Sequence, residues 1–392
     1  MSLLRTWVQI DLDALSNNLN EISKLCKKSK ILTIVKSNAY GHGFLESVKV
    51  FIKGGAYGLG VAFIDEAIQI RKAKINVPIL VLGYTVFEAI KYAFDYNIIL
   101  TVFTNEFAEN LSKEGCKRNK KIKIHIKVDT GMNRLGFIYN DDYSQKQETI
   151  KNIVEISKLS YVEIEGLFTH FSSSEQDKEF TKIQFKLFMN LVNELEKLGI
   201  SIPIKHCANS AGIINFPNMH LDMVRPGIIL YGLYPNNFFK NNNLNLIPAM
   251  QFKTRVAHLK EIEKDQYVSY GNTYKTDKKT KIATISVGYA DGYPRFLSNK
   301  TKVIVKNKLS QNIGKICMDQ CMIDVTHVNN IKIGNEVILF GTQGNLSISI
   351  DELAKINNSI NYEMLCMISK RVPRIYTKNG KVIKIMNDLL NT

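Results

Sequence analysis

A regular rhythm constrains this chain more than any other feature. Eight strand-like runs follow one another: "KILTIVKSNA", "AYGLGVAF", "VPILVLGY", "IILTVFTN", "KIKIHIKVDT", "YVEIEGLFTH", "PIKHCANS" and "HLDMVRPGIILYG". Helical stretches such as "IDEAIQIRKAK", "VFEAIKYAF", "NEFAENLSKEG" and "FTKIQFKLFMNLVNELEKLG" separate most of them. The last has apolar residues at helical spacing and ends in glycine, a helix stop. Strands alternating with helices pair in parallel, because each crossover returns the chain to the same end of the sheet. Eight such units predict an N-terminal (β/α)8 barrel of the TIM type.

After "LYPNNFFKNNNLNLIPAM" the rhythm changes, and the Asn-rich segment from Asn236 to Asn245 reads as a linker. Short alternating strands follow ("QFKTRVAHLKEI", "TKIATISVGYA", "TKVIVKN", "NEVILFG"), with little helix except "SIDELAKIN". The expected organisation is α/β: a barrel over residues 1–238 and a smaller, mostly β domain over 239–392.

No apolar run approaches the roughly 18 residues of a membrane-spanning helix. The start, "MSLLRTWVQIDLDAL", lacks the uninterrupted apolar stretch of a secretory signal. A cytoplasmic protein with no membrane contact is expected. Six cysteines are scattered along the chain, and only Cys317 and Cys321 lie close together. No zinc-ligand spacing completes that pair, so reduced thiols and no metal site are expected. The net charge of +16 raises the question of nucleic acid. The lysines are spread along the whole length rather than clustered, which argues against such a partner and leaves a field that attracts small anions.

In a barrel of this kind, reactive groups sit where strands end. Lys36, Thr169 and His170, Asn209 and Ser210, Arg225 and the run from Lys127 to Arg134 all fall at such places. In "KIKIHIKVDT" the aliphatic Ile122, Ile124, Ile126 and Val128 alternate with Lys123, His125, Lys127 and Asp129. Packing the aliphatic face on the helices turns the ionisable face inward. A buried Lys127 then needs an anionic partner or a chemical change; an exposed strand face is the simpler reading, and the pattern alone does not choose. Ser210 alone reads as a helix cap, "RPG" as a turn, and Tyr270 in "VSYGNTY" as an aromatic beside a turn.

Taken together, "VKSNAYGHG", "KVDTGMNRLGF", "LFTHF", "ANSAG", "VRPGIILYGLYP", "VSYGNTY", "VGYADGYPR" and "CMDQ" resemble, in order, the motifs of the pyridoxal-phosphate-dependent alanine racemases. The resemblance runs from "TWVQIDLDALSNNL" to "NYEMLCMISKRVPRIY". It implies that Lys36 holds pyridoxal 5'-phosphate through its amine, the one side-chain group able to form and exchange an imine. It also implies a two-base racemisation of alanine, in which Lys36 takes the proton from D-alanine and Tyr270 from L-alanine. A phenol with a reference pKa near 10 is a poor base alone, and the resemblance offers His170 and Arg225 as its supporting network.

Arg225 is implied to face the cofactor's pyridine nitrogen, where a permanently charged donor leaves the ring largely unprotonated and restricts the chemistry to proton exchange. Tyr40, Ser210, Tyr362 and the amides of Gly227 and Ile228 resemble the phosphate cradle. Arg134 and the amide of Met318 resemble the holders of the substrate carboxylate. Lys127 matches a lysine often carbamylated in the family. Tyr289, Asp291 and Arg295 resemble access-channel residues, and Ser174 and Glu175 stand where the family often has small residues and an aspartate. The resemblance further implies a head-to-tail homodimer with composite active sites, making D-alanine for peptidoglycan. A broader racemase acting on serine or larger amino acids is the alternative within the same chemistry.

Overall fold

Short, largely aliphatic runs of two to eight residues form the parallel strands of the barrel. In the computed structural model, which describes residues 4–236 and 244–390, the first strand is β1 (Thr6–Asp11). There follow β2 (Lys30–Ile34), β3 (Gly58–Val61), β4 (Ile79–Val81), β5 (Ile99–Val102) and β6 (Ile122–Asp129). After them come β7 (Phe137–Ile138), β8 (Val162–Phe168), β9 (Ile204–His206) and β10 (Met223–Val224). The barrel order is β10-β2-β3-β4-β5-β6-β8-β9, with β7 appended to β6 and every pairing parallel. Two backbone hydrogen bonds join its ends across β9 and β10: Asp222 N–H to the Lys205 carbonyl (3.1 Å) and Arg225 N–H to the Ala208 carbonyl (2.9 Å). All eight expected strands are these eight. The longest helix between them, Lys178–Lys197, is capped by the Asp177 side chain, which accepts from the Phe180 N–H.

The chain divides into two compact units. One is the barrel, residues Leu15–Ala39 and Phe44–Ile247; the other groups the residues up to Ala14, Tyr40–Gly43 and those from Pro248 onward. The expected boundary at 238/239, and most of the expected linker, lie outside the described residues. The second unit is mostly β and includes β1, which the expected division placed with the barrel. β1 pairs antiparallel with the strand Met250–Ile262 and parallel with Arg374–Lys378. No signal local to residues 6–11 could reveal partners so distant in sequence.

Candidate active site

Lys36 follows β2 by two residues and is half-buried. After Lys36 the chain tightens into a left-handed turn. Ser37, Asn38, Ala39 and Tyr40 all adopt left-handed backbone angles, with φ of 54°, 54°, 54° and 51°. Each such non-glycine residue costs about 1–2 kcal/mol, so the turn must be held by its surroundings. The Glu66 carboxylate accepts from the N–H groups of Ser37 (2.7 Å) and Ala62 (2.8 Å). Asn38 Oδ1 accepts from the Phe44 N–H at 2.8 Å. The Tyr231 hydroxyl donates to the Ile34 carbonyl at 2.9 Å. Lys36 is therefore presented from a fixed strand end.

On β6 the ionisable face does turn inward: His125, Lys127 and Asp129 are buried. The Lys127 ammonium donates to the Val128 carbonyl (2.6 Å) and lies 5.7 Å from the centre of the Phe168 ring. Burial, reinforced by the charges of Arg225 and Arg134 and opposed by Asp129, pushes its pKa down to about 7. The Asp129 carboxylate is otherwise engaged. Its oxygens accept from the N–H groups of Gly131, Met132, Asn133 and Arg134 at 2.9–3.0 Å, so it shapes the loop that carries Arg134. Burial raises this carboxyl's pKa, but the amides and Lys127 outweigh burial and leave it below its ordinary value. Among the described residues no carboxylate forms an ion pair with Lys127.

A pH signature follows from this lysine. Unfolded, it titrates near its ordinary value of about 10; folded, it does so near 7. Between those values the unfolded chain binds the extra proton, so Lys127 contributes stability that rises with pH, and below pH 7 its full penalty is present. In buffer free of carbon dioxide, Lys127→Met is expected to melt above the wild type at pH 6, with the gap narrowing as pH approaches 10. A gap constant over that range would contradict the shift.

Arg225, directly after β10, is buried at the centre of a hydrogen-bond cluster. Its Nη1 donates to His206 Nδ1 at 2.8 Å. Nη2 donates to the carbonyls of Thr169 (2.8 Å) and Cys207 (3.0 Å) and to His170 Nδ1 (3.2 Å). These bonds leave Nε–H without a partner among the described residues. Burial lowers the guanidinium pKa to about 10, still charged near neutral pH. Burial, then the charges of Arg225, Arg134, Lys127 and Lys36, holds His170 well below the ordinary histidine value, so it is neutral. On the same unit the Gly227 N–H donates to Ser210 Oγ at 2.8 Å. The barrel thus assembles Lys36, Lys127, Arg134, His170, Ser210, Arg225 and the Gly227–Ile228 segment.

On the second unit, Tyr270 is 69% exposed. It sits in a strained turn: Ser269 and Asn272 have φ of 67° and 51°, and Ser269 Oγ donates to the Lys315 carbonyl at 2.7 Å. Met318 lies on a loop whose Cys317 and Met318 carbonyls accept from the N–H groups of Tyr289 (3.0 Å) and Ala290 (3.1 Å). A Cβ at Gly288 would come within 2.2 Å of the Met318 carbonyl oxygen, so only glycine allows this approach. Tyr40 and Tyr362 belong to this unit, their ring centroids 6.0 Å apart.

Asp291 takes a structural part: fully buried, it receives two hydrogen bonds from Arg5, one from Arg371 and the Gly288 N–H. Tyr289 and Arg295, in contrast, are exposed. On the barrel, Ser174 is buried and donates to Asn209 Oδ1 at 2.9 Å, while Glu175 is half-buried. Three groups escaped the sequence reading of this site: His206 and Glu165 were not singled out, and His125 was seen only as part of an alternating strand. Their pairing needs three strands to meet.

The family description "Alanine racemase, N-terminal domain" matches residues 10–235, and "Alanine racemase, C-terminal domain" matches residues 249–376. The alanine racemase of Clostridium perfringens strain SM101 is 49% identical over 382 residues, 97% of either chain. This chain belongs to the alanine racemase family. Among solved structures, alanine racemase from Clostridium difficile 630 superimposes with a TM-score of 0.93 at 40% identity, covering 99% of both chains. The fold also serves another substrate: a histidine racemase from Leuconostoc mesenteroides superimposes with a TM-score of 0.87 at 28% identity, covering 96% of this chain and 99% of that one.

Alanine racemases depend on pyridoxal phosphate, and the barrel residues fit that group. Arg225, Arg134, Lys127 and Lys36 all direct positive charge at His170, while the Asp129 carboxylate is saturated by backbone donors. Such a donor set suits an anionic phosphate and a carboxylate substrate. The Arg225 Nε–H, without a partner among the described residues, adds a donor suited to a ring nitrogen.

Proposed function

We propose that the protein is an alanine racemase of the cytoplasm, interconverting L- and D-alanine as a homodimer and supplying D-alanine for peptidoglycan. The observation that carries this reading is that Lys36, on a braced strand end, acts on His170 together with Arg225, Arg134 and Lys127, in a chain matched by both family domains. Bound pyridoxal phosphate supplies an electron sink that acidifies the Cα–H bond of an attached amino acid. Lys36 holds the cofactor and, when its amine is free, moves the proton on one face of that carbon. Tyr270 moves it on the other. Arg225 offers its charged donor to the ring nitrogen and, by not surrendering a proton there, limits stabilisation of the carbanion to what proton exchange needs.

Ser210, Tyr40, Tyr362 and the amides of Gly227 and Ile228 hold the phosphate, and Arg134 with the Met318 amide holds the substrate carboxylate. Lys127, buried and with a pKa of about 7, is suited to carbamylation, which adds carbon dioxide to the neutral amine with loss of a proton. The product is an anion that would orient Arg134 and remove the uncompensated charge.

In a substrate panel with the cofactor present, L-alanine is expected to give the highest kcat/KM and an equal mixture of enantiomers at equilibrium. A higher value for serine or histidine would move the assignment to a broader racemase, a reading favoured by the histidine racemase of like fold.

We infer that Lys36 and Tyr270 of one catalytic centre come from two different subunits. Mixing inactive Lys36→Ala and Tyr270→Ala dimers then regenerates intact sites. Random re-pairing makes half the dimers mixed, each with one complete site, so about a quarter of wild-type activity should return. No recovery under conditions that exchange subunits would count against a composite centre.

A further inference from the structure

Behind Arg225, a chain of buried polar groups crosses the barrel. His206 Nε2 lies 2.8 Å from His125 Nδ1. His125 Nε2 lies 3.4 Å from Glu165 Oε2, and the Lys123 ammonium donates to Glu165 Oε1 at 2.6 Å. Both histidines are fully buried or nearly so, Glu165 is buried, and Lys123 is half-exposed at the outer end. The Phe168 ring stacks on His206 with centroids 4.7 Å apart and planes at 11°, which fixes that imidazole's plane.

Two backbone features build this chain. The pairing of β6 with β8 slips by one residue between Ile124–Ile164 and His125–Gly166, leaving Glu165 as an extra residue in a bulge, a device that re-aims a side chain. At Gly166 a Cβ would fall 2.4 Å from His125 Nδ1, so a glycine is what admits the ring.

The proton positions follow from one fact: a guanidinium only donates. Arg225 therefore donates to His206 Nδ1, which places the His206 proton on Nε2. That proton is donated to His125 Nδ1, which places the His125 proton on Nε2. It in turn is directed at the Glu165 carboxylate. Burial lowers the pKa of both imidazoles, in keeping with neutral rings, and hydrogen bonding, first from His125, pulls the Glu165 carboxyl down to about 2. Every link has one assignment, and the direction is set at both ends by charge.

We propose that Glu165 and His125 are positioning residues that, through His206, lock the direction of the Arg225 hydrogen bonds and so hold its charged donor in place for the reaction. If Glu165 loses its acceptor, His125 is free to take the opposite tautomer and His206 to follow. His206 would then present an N–H to the Arg225 N–H, and the guanidinium would have to turn away. This inference rests on the reading of Arg225 as the partner of the cofactor ring.

The test begins with cofactor-free wild-type protein carrying ¹⁵N-histidine, in which long-range ¹H–¹⁵N correlations report each ring's tautomer. His125 and His206 are both expected as neutral Nε2–H forms near neutral pH; an Nδ1–H form or an imidazolium at either position would overturn the proposal. In Glu165→Leu the two tautomers are expected to become mixed, and in Glu165→Gln, which keeps an acceptor without the charge, to persist. On the cofactor-loaded enzymes, both variants are expected to lower kcat for alanine, on the order of 10-fold for Leu and less for Gln, with KM within about twofold. Unchanged tautomers and kcat in Glu165→Leu would sink the idea, as would a loss confined to KM. The tautomer measurement uses neither cofactor nor alanine, so its failure leaves the racemase reading intact. Correct tautomers in a protein that racemises nothing would instead remove that reading and leave the hydrogen-bond chain standing.

Discussion

Lys36→Ala is expected to lose racemisation of alanine by more than about 10³-fold, in both directions, with the fold intact. The size follows from two losses in one side chain. Without the amine the cofactor is no longer tethered in place, and the proton on one face of the α-carbon has no acceptor; a positioned general base alone contributes about 10²–10⁴-fold. Stability should change little, because Lys36 is half-buried and Glu66, Asn38 and Tyr231 brace the left-handed turn beside it. Chiral analysis of either enantiomer, with a thermal melt of the same sample, checks both parts. Residual racemisation within tenfold of wild type would mean that another group does this work.

Tyr270→Phe keeps the ring and removes only the hydroxyl, so it isolates the opposite face. Racemisation in either direction needs both bases and is expected to fall by about 10²–10⁴-fold. Proton exchange need not fall equally. Lys36 remains able to remove and return the proton of D-alanine, so in heavy water D-alanine should still acquire deuterium without inverting. L-alanine should acquire almost none. The asymmetry separates this account from a single base that swings between faces, for which both enantiomers would exchange as in the wild type. Tyr270 is 69% exposed within its own chain, so loss of its hydroxyl is not expected to destabilise the unit that carries it.

The barrel was legible because its signal is local. Each strand is a short aliphatic run, and between most of them helical spacing is regular enough to count units. The inward turn of His125, Lys127 and Asp129 was one of two readings that the period of two on β6 allowed, and the fate of the charges was not legible in it. Asp129, on the same face, is saturated by four backbone N–H groups rather than paired with Lys127. What escaped the reading depends on distant partners. β1 pairs with residues some 240 and 370 positions away. The turn after Lys36 uses serine, asparagine, alanine and tyrosine in a conformation that ordinarily signals itself by glycine. The Glu165–His125–His206 chain needs a bulge and three strands to bring its members together, and its one local mark is Gly166, which resembles any other glycine in a strand.

The most direct measurement is the conversion of L-alanine by the cofactor-loaded wild-type protein in heavy water, with enantiomers separated and deuterium counted at the α-carbon. The account predicts D-alanine that carries deuterium from its first appearance, because the face that receives the proton is served by a different group from the face that lost it. D-alanine retaining the original hydrogen would contradict two bases, and no D-alanine at all would contradict the racemase itself.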